Sequence, residues 1–114
     1  MVIKRSEMKT EIKEKMRDGE GSVTLVHFTG CENEKNIRLL AELSLPPGAS
    51  IGKHRHDAET EYFMVVSGSG VTDDNGVETP VSAGDSIITG GGAYHSVKNT
   101  GDVPLVLHAA IVTH

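Results

Sequence analysis

Several things are scarce in this chain, and each scarcity excludes something. There is one cysteine, Cys31, in 114 residues, so no intramolecular disulfide framework is possible and a reducing, cytoplasmic setting is expected. Basic runs never exceed two residues, and the formal net charge is −5, which argues against a nucleic-acid or anionic-membrane surface. No apolar run reaches the ~18 residues of a membrane span. The opening MVIKRSEMKT has no apolar stretch of signal-peptide length. Internal repeats, linkers and low-complexity segments are also missing. The length falls in the range of about 100–200 residues that forms one domain. A chain of this size buries roughly two-thirds of its unfolded surface. The expectation is one soluble, mildly acidic domain over residues 1–114.

What is present is mostly period-two apolar patterning in short runs. Val23 to Phe28 reads as a strand closed by Thr29-Gly30. Ile37 to Leu45 alternates almost strictly, which turns Ile37, Leu39, Ala41, Leu43 and Leu45 toward one face. Tyr62 to Val66, Ser86 to Thr89, His95 to Asn99 and Leu105 to Val112 are further strands, and Asn75-Gly76 between Val71 and Val77 signals a hairpin. Short strands with Gly, Pro or Asn between them, and no long helical pattern among them, describe an all-β sandwich or barrel. Residues 1–20 differ: they are dense in charge, with Met8, Ile12 and Met16 at i, i+4 and i+8. That stripe predicts a short helix or an irregular arm laid over a sheet, with its methionines as a packing face.

Six histidines stand out, at 27, 54, 56, 95, 108 and 114. A single histidine in a strand is more often hydrogen-bonded structure than a ligand. His54 and His56 are two apart, so on an extended strand they project from one face. Glu61 follows five residues later, at the entry to an apolar run. Two imidazoles and a carboxylate aimed into one interior suit a borderline divalent metal, although H-x-H alone is a weak motif.

The glycines sharpen this. Gly48-x5-His54-x-His56-x4-Glu61-x6-Gly68 resembles the first signature of the cupin family. Gly84-x5-Gly90-x-Gly92-x2-His95-x3-Asn99 resembles the second, with Gly90 where the family usually has proline. The resemblance covers residues 48–99. It implies an all-β double-stranded β-helix, a jelly-roll barrel, here with the N-terminal arm added. It also implies one divalent transition metal held by His54, His56, Glu61 and His95. Manganese or iron comes first by family habit, with zinc, nickel, cobalt and copper also able to fit the donor set. Four ligands on a metal that prefers six leave two positions open for a small oxygen-donor molecule.

The remaining residues carry plainer expectations. Glu59 shares the strand parity of Glu61 and reads best as a solvated carboxylate. His27 and His108 lie on apolar strands as structural histidines or as donors lining the barrel. Tyr94 should point away from His95, Asn99 should bond backbone, and Gly90 predicts a mobile loop before His95. Among cupins the chain is most similar to short single-domain proteins of the oxalate-decarboxylase-like group, through Pro46 to Gly52 and the Asp74-Asn75-Gly76 hairpin. Two-domain decarboxylases carry an arginine three residues before the first ligand histidine and a glutamate on a lid loop. Here that position is Ile51, and no lid of matching length is found. The metal is then the main positive group expected near an anionic ligand. The resemblance leaves two functional classes open. One, the favoured, is a metal-dependent enzyme acting on a dicarboxylate, ketoacid or diketone as decarboxylase, dioxygenase or isomerase. The other is a non-catalytic binding or sensing module. A homodimer is expected, with Val2-Ile3 and the arm at the interface.

Overall fold

Period-two alternation decides which side of each strand is buried, and it operates over more of the chain than the apolar pattern alone marks out. The computed structural model describes residues 1–28 and 30–114; Thr29, expected in the turn that closes the second strand, lies outside the described residues. Among the described residues the strands are β1 (Thr10–Glu14), β2 (Ser22–His27), β3 (Ile37–Leu45), β4 (Ser50–Arg55), β5 (Glu59–Ser67), β6 (Ser69–Asp74), β7 (Val77–Ser82), β8 (Ser86–Gly90), β9 (Tyr94–Lys98) and β10 (Leu105–Thr113). They form two antiparallel sheets, β1-β2-β3-β10-β5-β8 and β4-β9-β6-β7. This is the expected all-β jelly roll.

The inward face of β3 is Ala41, Leu43 and Leu45, that of β5 is Phe63 and Val65, and that of β10 is Leu105, Leu107 and Ala109. Ile51 of β4 and Val97 of β9 close the core from the smaller sheet. Truncating such a side chain to alanine removes apolar burial and leaves a cavity, at about 2–5 kcal/mol each. Asn75-Gly76 turns β6 into β7, with the pairing Asp74↔Val77 beside it. Asn99 is buried and donates to the carbonyls of Leu45 and Val103, each at 2.8 Å. It bonds backbone, as expected.

The N-terminal arm contains a strand instead of a helix. β1 pairs along β2 from Thr10↔Val26 to Glu14↔Ser22, with 3-10 turns at Arg5–Glu7 and Met16–Asp18 on either side. The reason is arithmetic: a spacing of four residues is a multiple of two, so Met8, Ile12 and Met16 share one face of an extended chain as readily as of a helix. The stripe is not a continuous packing face either. Ile12 is 64% exposed, while Met16 packs against the core.

The arm returns to the body where two backbones meet without side chains between them. A Cβ on Gly19 would come within 2.2 Å of the Ser50 carbonyl oxygen, and one on Gly52 within 2.0 Å of the Arg17 carbonyl oxygen. Only glycine permits this approach of the Met16–Asp18 turn to β4. Gly19→Ala is therefore expected to destabilise the protein by about 1–3 kcal/mol, as overpacking does, and to lower its urea midpoint. An unchanged midpoint would show that the junction has room to give.

Candidate metal centre

Four strands bring the site together. β4 and β9 are in register at His54↔His95, so two imidazoles start side by side on the smaller sheet. A register shift between Ile51 and His54 lets both of these residues face inward although their parities differ. Glu61 lies on β5 at the inward parity it shares with Phe63 and Val65, opposite Thr89 of β8. His56 follows the end of β4. Its amide donates to the Ala93 carbonyl at 3.0 Å and its carbonyl accepts from the Gly92 amide at 2.9 Å, which fixes it to the turn before β9.

The structure thus gathers all four expected ligands. One donor atom from each lies within 4.8 Å of the others, with His56, Glu61 and His95 buried and His54 half-buried. Nε2 of His95 is 3.0 Å from Nε2 of His54 and 3.1 Å from Nε2 of His56. Glu61 Oε1 is 3.0 Å from Nε2 of both His56 and His95, and 3.6 Å from that of His54. Two ligands at right angles, each about 2.1 Å from one ion, stand about 3.0 Å apart. The spacing suits one small cation.

Proton placement reaches the same conclusion from a different direction. His54 Nδ1 faces the Gly52 carbonyl at 2.7 Å, which can only accept, so Nδ1 carries the hydrogen and Nε2 presents a lone pair. His56 Nδ1 faces the Glu59 carboxylate at 2.5 Å, with the same outcome. His95 Nδ1 meets the Thr89 hydroxyl at 2.8 Å. Even with the proton of His95 on Nε2, one hydrogen could serve only one of the acceptors around it. Glu61 Oε1 is in fact a buried oxygen with no aligned donor among the described residues. Three nitrogens and an orphaned carboxylate oxygen converge, and a buried group left in that condition is costly. A cation in the middle satisfies all of them, and the mixed N/O donor set is that of a borderline divalent metal. The residues fit the group.

Electrostatics keep the set in its ligating form. Burial pushes Glu61 up, and a proton shared from His54 or His95 would bring it down to about 2; a cation at the same point keeps the carboxylate ionised while leaving each Nε2 free to ligate. Burial pushes His95 down, against the opposing pull of Glu61. Phe63 stacks flat on the His95 ring, with centroids 5.1 Å apart, and holds its plane.

Glu59 is the main correction to the expectations. It is not a solvated carboxylate: Arg38 grips it with two hydrogen bonds of 2.9 and 2.8 Å while it accepts from His56 Nδ1. Chiefly through the Arg38 hydrogen bond, its pKa falls to about 2. Arg38, Glu59 and His56 make a chain that orients the ring and raises its basicity. Arg38 and Thr89 belong to no motif in the sequence. Thr89 had a signal, a polar residue at the inward parity of Ile87 in an apolar strand; Arg38 had none, because its partner is twenty-one residues away. Gly90 is also better explained by contact than by looseness. It ends β8 opposite Thr60, and a Cβ there would stand 2.5 Å from Thr60 Oγ1 and 2.9 Å from the Glu59 carbonyl oxygen. His108 is turned outward, 3.2 Å from Glu42, and does not line the barrel. Tyr94 lies away from the centre, under Lys53.

The site opens into a cavity of about 560 Å³, with His54, His56 and Glu61 on its wall beside the apolar Leu25, Ile51 and Phe63. His27 also reaches this cavity and is held by Glu11 at 2.9 Å. A metal ion would not be the only positive group there. Lys13, Lys15 and Arg17 of the arm, with Arg38, line the same space, and no sequence pattern had assigned the arm to the pocket.

Known proteins agree with this fold. Residues 41–112 match the family model described as a cupin domain. The chain is 41% identical over 113 residues to a protein of Thermotoga maritima named oxalate-binding protein, covering 98% of this chain and 93% of the relative. Its fold is similar to the crystal structure of a predicted oxalate decarboxylase from Thermotoga maritima, with a TM-score of 0.94, 39% identity and complete coverage of both chains. A cupin-2 domain from Rhodospirillum rubrum shares the fold with a TM-score of 0.79 at 17% identity, over 99% of this chain and 74% of its own. By the span of the family match and the identity to its relatives, the chain belongs to the cupin family.

Proposed function

We propose that residues 1–114 form one cupin domain that holds a single divalent metal, manganese or iron, through His54, His56, Glu61 and His95. We further propose that it binds a short chelating carboxylic acid on that ion. The observation that carries this is the orphaned Glu61 oxygen among three imidazole nitrogens with fixed partners. When bound, the metal supplies a Lewis acid and a template for adjacent oxygen donors. The chain's own residues do the rest. Gly52, Glu59 and Thr89 orient the rings; Ile51 and Phe63 exclude water from one wall; the arm places cations at the mouth. The name of the 41% identical relative, an oxalate-binding protein, supports a small dicarboxylate as the ligand class.

Catalysis on the same acid is the second reading, and one observation favours it. His27, braced by Glu11, is an imidazole on the cavity wall outside the ligand set, placed as a group that could carry a proton. Among the described residues no helix is long and apolar enough to cross a membrane, and we place the protein in the cytoplasm on its single cysteine. We also propose a homodimer. The outer face of the larger sheet exposes Tyr62, Met64 and Ile88 around an apolar hollow of about 370 Å³, and Val2 is 79% exposed.

Metal analysis tests the site. His56→Ala and His95→Ala are each expected to lose most of the bound metal while staying folded, and full occupancy in both would refute the ligand set. In the unmutated protein, metal affinity should fall as the pH is lowered and protons compete for the ligand atoms. Calorimetry with a series of short acids should show binding of several dicarboxylates only when metal is present. Carbon dioxide release from oxalate by the manganese-loaded protein should be slow or absent; rapid turnover confined to oxalate would establish a decarboxylase instead. For assembly, light scattering should give a dimer that weakens when residues 1–20 are removed, and a monomer in both cases would exclude it.

A further inference from the structure

The turn that closes β1 is strained, and it stands at the mouth of the metal cavity. Lys15 (φ 47°), Arg17 (φ 54°) and Asp18 (φ 64°) all adopt left-handed backbone conformations, a region that non-glycine residues occupy rarely and at a cost. Three within four consecutive residues call for a structure that holds them there.

That structure is visible, and it holds the backbone and the Met16 side chain. The Lys15 amide donates to the Gly21 carbonyl at 2.8 Å, the Asp18 amide to the Lys15 carbonyl at 2.9 Å and the Gly19 amide to the Met16 carbonyl at 3.0 Å. Met16 packs on the core. The Arg17 carbonyl is pressed against Gly52, whose own carbonyl orients the His54 ring. The turn is thus clamped to the same piece of β4 that aims a metal ligand.

Its two cations, by contrast, are uncommitted. Arg5 pairs with Glu42, Arg38 with Glu59 and Lys53 with Asp73. Among the described residues Lys15 and Arg17 have no ion pair or side-chain hydrogen bond. Both line the cavity that contains His54, His56 and Glu61.

Charge gives these cations a task. Three neutral imidazoles and one carboxylate around a divalent ion leave a single positive charge. A monoanionic ligand cancels it, whereas a dianion leaves a net negative charge beside the apolar Leu25, Ile51 and Phe63, where an unpaired charge is expensive. Resting on the metal-and-acid assignment above, we propose that the Lys15–Asp18 turn is a second anion-holding element of the site. Arg17, with Lys15 beside it, binds the carboxylate oxygens that point out of the metal centre. The turn makes the site select dianionic short acids over their monoanionic analogues.

The test is calorimetry on manganese-loaded protein with oxalate and with oxamate, which offers a similar chelate with one charge fewer. The wild type should bind oxalate more tightly than oxamate, and increasingly so as salt is lowered. Arg17→Gln should weaken oxalate about tenfold or more, with oxamate changed less than about threefold. Lys15→Gln combined with Arg17→Gln should abolish the preference, and Arg17→Lys should restore part of it. Manganese content should be equal in all four proteins, which shows that the metal site is intact. Oxalate binding by the double variant as tight as by the wild type would overturn the role of the turn and leave the metal-and-acid site standing. A wild type that binds manganese but neither acid would overturn both.

Discussion

A single buried carboxylate oxygen facing three imidazole nitrogens is the constraint around which the rest of this molecule is organised. Without a cation, Glu61 Oε1 and the Nε2 atoms of His54, His56 and His95 crowd together with too few protons to satisfy them. Such a cluster is unfavourable in a protein interior. The apolar layers of β3, β5 and β10 supply the stability that lets the fold tolerate it. Register does the positioning: His54 opposite His95 on one sheet, Glu61 opposite Thr89 on the other.

The three rings are not held alike. His54 leans on a main-chain carbonyl and His95 on a hydroxyl, while His56 is tied to a carboxylate that is itself gripped by Arg38. Because Arg38 and His56 together keep Glu59 ionised down to about pH 2, the His56 arm of the site keeps its orientation across any physiological pH. The N-terminal arm adds a different kind of support. It sets cations at the cavity mouth through a turn that packs on β4 where Gly19 and Gly52 leave no side chain in the way.

Much of this could be read from the residues in order. Ile37 to Leu45 alternates so regularly that β3 has the bounds the pattern gives it, and the two glycine–histidine signatures pick out the ligands because their spacing follows the strands and turns. What could not be read depends on contacts between distant segments. Arg38 finds Glu59 only once β3 and β5 flank β10. Gly90 looks like a flexible substitute until Thr60 is seen packed against it. The arm is ambiguous in sequence because Met8, Ile12 and Met16 fit both periods, and β1 is decided by the edge of β2 that it covers.

The central claim is that the cluster exists to hold one metal ion. Elemental analysis of the protein purified without added metal, followed by titration with manganese at neutral pH, addresses it directly. The account predicts saturation at one divalent ion per chain, with a rise in thermal stability that saturates at the same ratio, as expected for an ion that binds the folded state. A protein that takes up no divalent metal, or whose stability ignores it, would contradict the account.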